Sequence, residues 1–481
     1  MLLSRLSITQ KNLKLFFLIL VFIFIFSLPS GPFIPDLIVS LSALLSLVIF
    51  KKQLTREILK FNIIFYLIAF YFFIVLSSIF SEFFLVSLKS SLPYLRFIIF
   101  IFAASYVIHK YELHDYIFYV FFSLYLILCF DSILQVKTGY NLFNMKLNSD
   151  RVSSFFGDEY ILGSFISKSY GILLLCLFSS KIKYKNILYI FVSLISLVLI
   201  LLSNERAALL IFGIIFLLSI FLIPNKIKFY LILIMITFTS LIFYLNKSSY
   251  ERIINLTYNQ LTENNTLNIF SFRHQLHYIT AIEIFKENKI KGAGIKSFRY
   301  LCSKDIFSKV IDQKIEENKK VFAKFDGFVR KYEIESNDYD KYYSIYSNIS
   351  SKNLQTQYLN KHHYFSLKKS IGERVYKGDH IWTWYEFKNG CNTHPHNFYI
   401  QFLSELGLLG FLCLITTYLF IMIKIFNFFR KKNQISINNY LIFSIYLAIL
   451  FPFIPSGNFF NNYLSIQMFL PLCFLKLWKF H

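Results

Sequence analysis

A histidine pair followed by polar residues at helical spacing is the stretch of this chain best equipped for chemistry. From Thr393 it reads THPHNFYIQFLSELGLLGF. His394 and His396 flank Pro395. Asn397, Gln401 and Glu405 then recur every four residues, so they share one face of a helix. A histidine here can take a proton near neutral pH, or it can simply cap the helix. No third ligand stands at metal-binding spacing, so no metal is expected. A polar stripe entering an apolar helix is costly in a membrane unless it faces protein or a wet cavity. Gly407 and Gly410 have the spacing that lets two helices approach closely.

Two arginines are the other candidates. The turn Ser203-Asn204-Glu205-Arg206 separates two apolar runs so tightly that they must form an antiparallel hairpin, with Arg206 at its mouth. Arg273 opens an amphipathic stretch, beside a helix N-terminus that favours anions. The planar guanidinium fork suits phosphate. The alternatives are a snorkelling Arg206 paired with Glu205 and a surface cation at Arg273. Arg96 and Lys168 lie within apolar runs, as snorkelling or cavity-facing charges. There is no P-loop, GxSxG or CxxC, and Gly292-Ala-Gly294 lacks the third glycine and βαβ context of a dinucleotide site.

The elements that must position these residues are membrane spans. Of 481 residues, 56% are hydrophobic, 20% are aromatic and 59 are Phe, which excludes an ordinary soluble domain. Twelve apolar stretches of roughly 16–25 residues approach the ~20 needed to span a bilayer: 13–28, 33–50, 61–80, 92–108, 117–136, 159–180, 187–203, 207–223, 229–246, 397–423, 440–455 and 462–478. The first has no small-residue cleavage site, so no cleavable signal is expected. With the N-terminus inside, the inner loops hold 19 Lys plus Arg and the short outer loops hold 5, which sets the orientation. The net charge of +23 therefore reflects loop placement, and no nucleic-acid partner is expected. The expected fold is an all-α polytopic membrane protein with about twelve transmembrane helices. Residues 1–246 form spans 1–9, 247–395 a large periplasmic loop between spans 9 and 10, and 396–481 spans 10–12, with both termini cytoplasmic.

The loop carries 24 basic and 16 acidic residues, which suits an anionic partner such as a diphosphate or lipid headgroups. Residues 271–288 pattern as an amphipathic helix through Leu276, Ile279, Ile282 and Phe285, lying on the outer membrane surface. Cys302 and Cys391 bracket the stretch 303–390, which holds Trp382 and Trp384 and reads as an inserted subdomain. They form a disulfide closing it, or remain two free thiols. The other four cysteines fall in apolar spans as packing residues.

Four stretches together resemble the O-antigen ligase family, which includes O-antigen and related polysaccharide polymerases. They are Ser203-Asn-Glu-Arg206-Ala-Ala-Leu, Ser271-Phe-Arg273 with Gly292-Ala-Gly294-Ile-Lys-Ser-Phe298, His394-Pro-His396-Asn397 through Glu405-Leu-Gly407-Leu-Leu-Gly410, and Pro455-Ser-Gly457-Asn-Phe-Phe. The resemblance implies a twelve-helix bundle in the bacterial inner membrane with a periplasmic active site. It implies transfer of a glycan from an undecaprenyl-diphosphate carrier to an acceptor hydroxyl, either on lipid A-core (ligase) or on a carrier-linked glycan (polymerase). It further implies that Arg206 and Arg273 bind the diphosphate and His396 activates the acceptor, with no cofactor. His394, Asn397, Gln401 and Glu405 are supporting candidates, with Glu405 orienting His396 or lining the acceptor path. The alternative is a lipid-linked oligosaccharide flippase, which predicts more charges deep within spans and an internal repeat. An external binding domain on a membrane anchor does not need twelve spans.

Overall fold

The computed structural model describes residues 10–49, 62–147, 151–157, 159–262, 269–302, 392–430 and 435–476. The expected insert 303–390, with Trp382, Trp384 and neighbouring Cys391, lies outside them. Every named element among the described residues is a helix. The first six are α1 Gln10–Ser27, α2 Phe33–Ile49, α3 Asn62–Ile79, α4 Phe84–Ser91, α5 Leu95–Lys110 and α6 His114–Thr138. Then come α7 Leu162–Ser179, α8 Lys185–Ser203, α9 Arg206–Ser219, α10 Asn225–Leu245 and α11 Phe272–Glu287. The last three are α12 Phe398–Arg430, α13 Ile437–Ile449 and α14 Asn462–Phe469.

Each of the twelve apolar stretches coincides with a helix, but their lengths differ from expectation. Seven helical segments among the described residues are long and apolar enough to cross a membrane: α1, α4 with α5, α6, α7, α8, α10 and α12. The chain is thus a multi-pass membrane protein. Helices α2, α3, α9 and α13 are apolar but shorter. At 1.5 Å per residue α13 reaches only ~20 Å, and α14 passes after Phe469 into a 3-10 turn, Leu470–Phe474. The expected span at 92–108 begins earlier, at Phe84. It bends at Leu92–Tyr94, where Pro93 cannot supply an N–H.

Helix α7 is the axis of the bundle. It is buried along most of its length and packs against α6, α8, α9 and α13. Gly171 makes this possible, since a Cβ there would come within 2.3 Å of Ile445. Buried hydroxyls tie neighbouring helices where no water can serve them. Tyr170 meets Ser193 at 2.9 Å, Tyr189 meets Ser219 at 2.8 Å, and Tyr125 donates to the Ile166 carbonyl at 2.9 Å. By contrast α10 exposes Phe229, Tyr230, Ile236 and Tyr244, an apolar face too extended for water.

The turns sort into two ends. At one end the 28–30 turn packs on 154–156, Val152 donates to Leu202, and Arg252 donates to the Asn204 carbonyl. That end continues through α2, where Asp36 receives Arg96 in a forked pair at 2.8–3.1 Å and Asn462 at 3.1 Å. Arg96 is therefore a paired charge. At the opposite end Lys181 meets Glu112 at 2.7 Å, and Ser179 meets Asn438 at 2.8 Å.

The two glycines of the Glu-Leu-Gly-x-x-Gly stretch do not pack helix on helix. Gly407 has φ +70 and breaks α12. Its missing Cβ makes room for the 289–294 turn, coming within 2.3 Å of the Ile290 carbonyl oxygen. The atoms nearest to a Cβ on Gly410 belong to Leu406 of its own helix. The break frees backbone groups that cannot stay unpaired in an apolar setting. The turn supplies them: Ala293 N–H donates to Ser404 O at 3.0 Å, Gly294 N–H to Glu405 O at 2.8 Å, and Leu408 N–H to Lys289 O at 2.8 Å. The far side of the turn is held by hydroxyls. Ser77, Ser81 and Ser87 donate to the carbonyls of Lys291, Ala293 and Ile295 at 3.0, 2.7 and 2.9 Å.

Gly407→Ala should therefore lower the melting temperature sharply, since φ +70 alone costs about 1–2 kcal/mol for a residue with a Cβ and the Ile290 clash adds to it. Gly213→Ala is the contrast: its Cβ meets nothing within 4 Å and alanine favours the helix by roughly 1 kcal/mol. Fluorescence-detected melting in detergent reads both, and equal melting temperatures for Gly407→Ala and the parent would refute the seam.

Candidate functional site

Asn397 sets the start of α12. Its side-chain oxygen accepts from the N–H groups of Tyr399 and Ile400 at 2.9 and 3.2 Å, the geometry of an N-cap. Its amide also donates to the Pro452 carbonyl at 2.8 Å. One turn on, both Nε2 hydrogens of Gln401 are used, on Glu405 at 2.9 Å and on Asn458 at 2.9 Å, while its oxygen accepts from Phe459 N–H at 3.0 Å. The polar stripe is fully buried. It locks α12 to the turn before α14, and a cost of placing Asn, Gln and Glu in an apolar helix is thereby offset.

The histidines sit where that lock meets the bundle end. His394 is buried, with Nε2 against the Ser456 carbonyl at 3.2 Å and Nδ1 against the Thr393 hydroxyl at 2.9 Å. A carbonyl only accepts, so Nε2 carries the proton and Nδ1 accepts from Thr393. Burial holds this imidazole down at about 3, with nearby Arg299 and His274 adding repulsion. His394 is thus a neutral support. His396 is less buried and adopts φ +56, a left-handed backbone that side-chained residues rarely hold. Its carbonyl accepts from Ser456 N–H at 2.8 Å, so the same turn fixes both histidines.

Helix α11 supplies what sequence reasoning missed. It packs against α12, burying Leu276, His277, Thr280, Ala281 and Ile284. Of the face expected through Leu276, Ile279, Ile282 and Phe285, Leu276 is buried, Ile279 and Phe285 are half-buried and Ile282 is 36% exposed. Small Thr280 and Ala281 permit close approach, and burial follows them. His274 and His277 stand 5.3 and 5.5 Å from the His396 ring centroid, and His394 stands 4.1 Å away. The three-residue spacing of His274 and His277 on one helix was the available signal. Among the described residues no group of His, Cys, Asp or Glu has metal-holding geometry.

Cations line the adjoining turn. Lys296 (φ +58) and Arg299 both face Glu405 electrostatically. Burial lowers Lys296 to about 8 and lowers Arg299 as well, against the pull of Glu405. Arg273 is the second residue of α11, and its side chain lies outside the described part. Cys302 is buried and disulfide-bonded, the four span cysteines are free, and Cys391 lies outside the described residues.

Arg206 opens α9. It follows Asn204, whose left-handed conformation (φ +58) ends α8. Its guanidinium donates to Thr257 and Gln260 at 3.3 and 3.0 Å. It is not paired with Glu205, whose two oxygens accept from Gly163 and Ser164 N–H at 2.8 and 3.1 Å. Burial pushes that carboxyl up to about 7 against the pull of Arg151 and these two donors. Gln260 in turn donates to the Ile269 carbonyl at 3.2 Å, just before α11. Arg206 is thus linked through Gln260 to the segment that leads into α11, the helix whose His274 stands beside His396.

The depressed His394 has a consequence for stability. The unfolded chain takes up a proton near 6.5, the folded chain only near 3. His394 therefore contributes stability above about 6.5 that is lost as pH falls toward 3, by up to about 1.4 kcal/mol per pH unit. Melting of the parent should fall between pH 6.5 and 4, and His394→Asn, which keeps a donor but does not titrate, should fall less steeply. Identical slopes would mean that another group carries the effect.

Residues 191–322 match the model of a family described as O-antigen ligase. The match runs from within α8 through the Arg206 turn, α10, α11 and the Gly292–Gly294 turn into the insert. No curated protein and no solved structure matches the chain. The chain is thus a multi-pass membrane protein whose residues 191–322 are similar to the O-antigen ligase family.

Proposed function

We propose that this protein moves a glycan from an undecaprenyl-diphosphate carrier to an acceptor hydroxyl on the periplasmic side of the bacterial inner membrane. The observation that carries the reading is the link from Arg206, inside the family match, through Gln260 to the segment that leads into α11, whose His274 stands beside His396, outside the match. Arg206 and His396 stand at the end of the bundle that the loop charges assign to the outside. In this reading Arg206 and Arg273 hold the diphosphate and neutralise the charge that develops on it as the glycosyl bond breaks. His396 takes the proton of the attacking hydroxyl. The carrier diphosphate is itself the leaving group, so the residues named need no nucleotide. His394, Asn397 and Gln401 position the His396 backbone, and Glu405 balances Lys296 and Arg299. The large loop, 247–395, would cover the site, with a Cys302–Cys391 disulfide closing its insert. The acceptor is lipid A-core in a ligase and a carrier-linked glycan in a polymerase.

A helix broken within its length also occurs at transporter ion sites. Here the freed carbonyls of Ser404 and Glu405 are filled by the chain's own N–H groups, so the break does not favour a flippase.

The test is transfer by purified protein reconstituted with undecaprenyl-diphosphate glycan and each acceptor. His396→Ala should lower turnover by about 10²–10⁴ while keeping the parent's melting temperature, and Arg206→Ala and Arg273→Ala should lower it with weaker donor use. Parental turnover in His396→Ala would remove the general-base role. Movement of the lipid-linked glycan across the vesicle without transfer would replace the enzyme by a flippase.

A further inference from the structure

Arg206 does not stand alone at the bundle end. Arg252 donates its Nε–H to the Asn204 carbonyl at 3.2 Å, so it is held against the turn that presents Arg206. It acts electrostatically on both Arg206 and Arg151. Arg151 lies over the Tyr160 ring at 4.6 Å and donates from Nη2 to the Tyr160 carbonyl at 3.3 Å. Its Nε–H is buried and has no hydrogen-bond partner among the described residues. Lys168 completes the group and donates to the Ser164 carbonyl at 3.2 Å.

One carboxylate, Glu205, faces two of these four cations. Glu205 acts on Arg151 and Lys168, but both its oxygens are engaged by the main chain at the start of α7. The carboxylate is thereby held at that helix end, and the Arg151 Nε–H is left without a partner among the described residues. The loop that carries Arg151 is built rather than loose. Buried Asp131 accepts from Leu142 N–H at 2.7 Å and from the Ser154 hydroxyl at 2.5 Å. Gln135 accepts from Ser153 and Ser154 N–H at 3.2 and 2.9 Å, and Asn141 donates to the Ser154 carbonyl at 2.7 Å. Val152 N–H, beside Arg151, is tied to Leu202 at the end of α8. Crowding like charges is unfavourable unless an anion completes the group.

We propose that Arg151 and Arg252 join Arg206 as ligands of one diphosphate site. This rests on the reading of Arg206 given above and extends it to two residues outside the motifs. Three guanidinium groups at one end of the bundle, with Arg252 acting on both of the others, suit the several oxygens of a diphosphate better than a single phosphate. Lys168 and Glu205 act as positioning residues, the one bracing α7 and the other fixing the spacing of the arginines.

The probe is farnesyl diphosphate, titrated calorimetrically into the full chain in detergent at low salt, with farnesyl monophosphate and inorganic pyrophosphate alongside. Arg151→Ala and Arg252→Ala should each weaken farnesyl diphosphate binding by about tenfold or more, and Arg→Lys at either position should recover part of it as a point charge. Lys228→Ala, at the opposite end, should bind as the parent does. Ligand-free melting identifies any variant that fails to fold, and Arg→Gln, which keeps a donor, then replaces it. If Arg206→Ala loses binding while Arg151→Ala and Arg252→Ala keep it, this inference falls and the reading of Arg206 stands. If the parent binds no diphosphate, both fall. Equal affinity for the monophosphate would make the site one for a single phosphate, such as a lipid headgroup, and would overturn the diphosphate assignment. Pyrophosphate binding as tight as the farnesyl probe would assign the ligand to free phosphate rather than to a lipid.

Discussion

The break in α12 at Gly407 is the constraint on which the site depends. A helix opened inside an apolar bundle leaves carbonyls that must find donors. The 289–294 turn provides them and is itself clasped by three serine hydroxyls from α3, the following turn and α4. Gly292 and Gly294 leave room on the two sides of the turn: a Cβ on Gly292 would lie 2.4 Å from the Glu405 carbonyl oxygen, and one on Gly294 would lie 2.2 Å from the Ser81 hydroxyl. This seam fixes the short first part of α12, which begins with the capped Asn397 and its preceding histidines. It also fixes Lys296 and Arg299, which follow the turn directly.

The same end of the bundle holds several residues in left-handed backbone without being glycine: His396, Lys296, Asn204 and Ser154. Such conformations persist only when the surroundings over-determine them. Each is bound accordingly. The His396 carbonyl receives Ser456 N–H, and Ser154 is gripped by Asp131, Gln135 and Asn141. A side chain held this way loses little freedom on meeting a substrate, which is the physical advantage of building a site on strained but buried turns.

Charge placement follows a second rule. The carboxylates nearest Arg206 and at the start of α2 are already engaged. Glu205 is taken up by the N–H groups of α7, and Asp36 by Arg96 and Asn462. The result is a basic end where Arg252 acts on both Arg206 and Arg151. A composition of +23 spread over loops says nothing of this, because it depends on which carboxylates are already spent.

The positions of the helices were legible in the sequence, since apolar runs, capping asparagines and prolines act locally. The polar spacing of Asn397, Gln401 and Glu405 likewise placed them on one face without further information. Tertiary structure alone decided what those residues touch. Gly407 reads as a helix-packing residue until a turn more than a hundred residues earlier is seen to fill its break. The buried residues of α11 include His277, Thr280 and Ala281 beside the expected Leu276. His274 and His277 join His396, and Arg151 and Arg252 join Arg206, only through contacts between segments remote in the chain. Spacing along a helix is a local property and can be read directly, whereas the meeting of distant turns depends on packing the whole bundle.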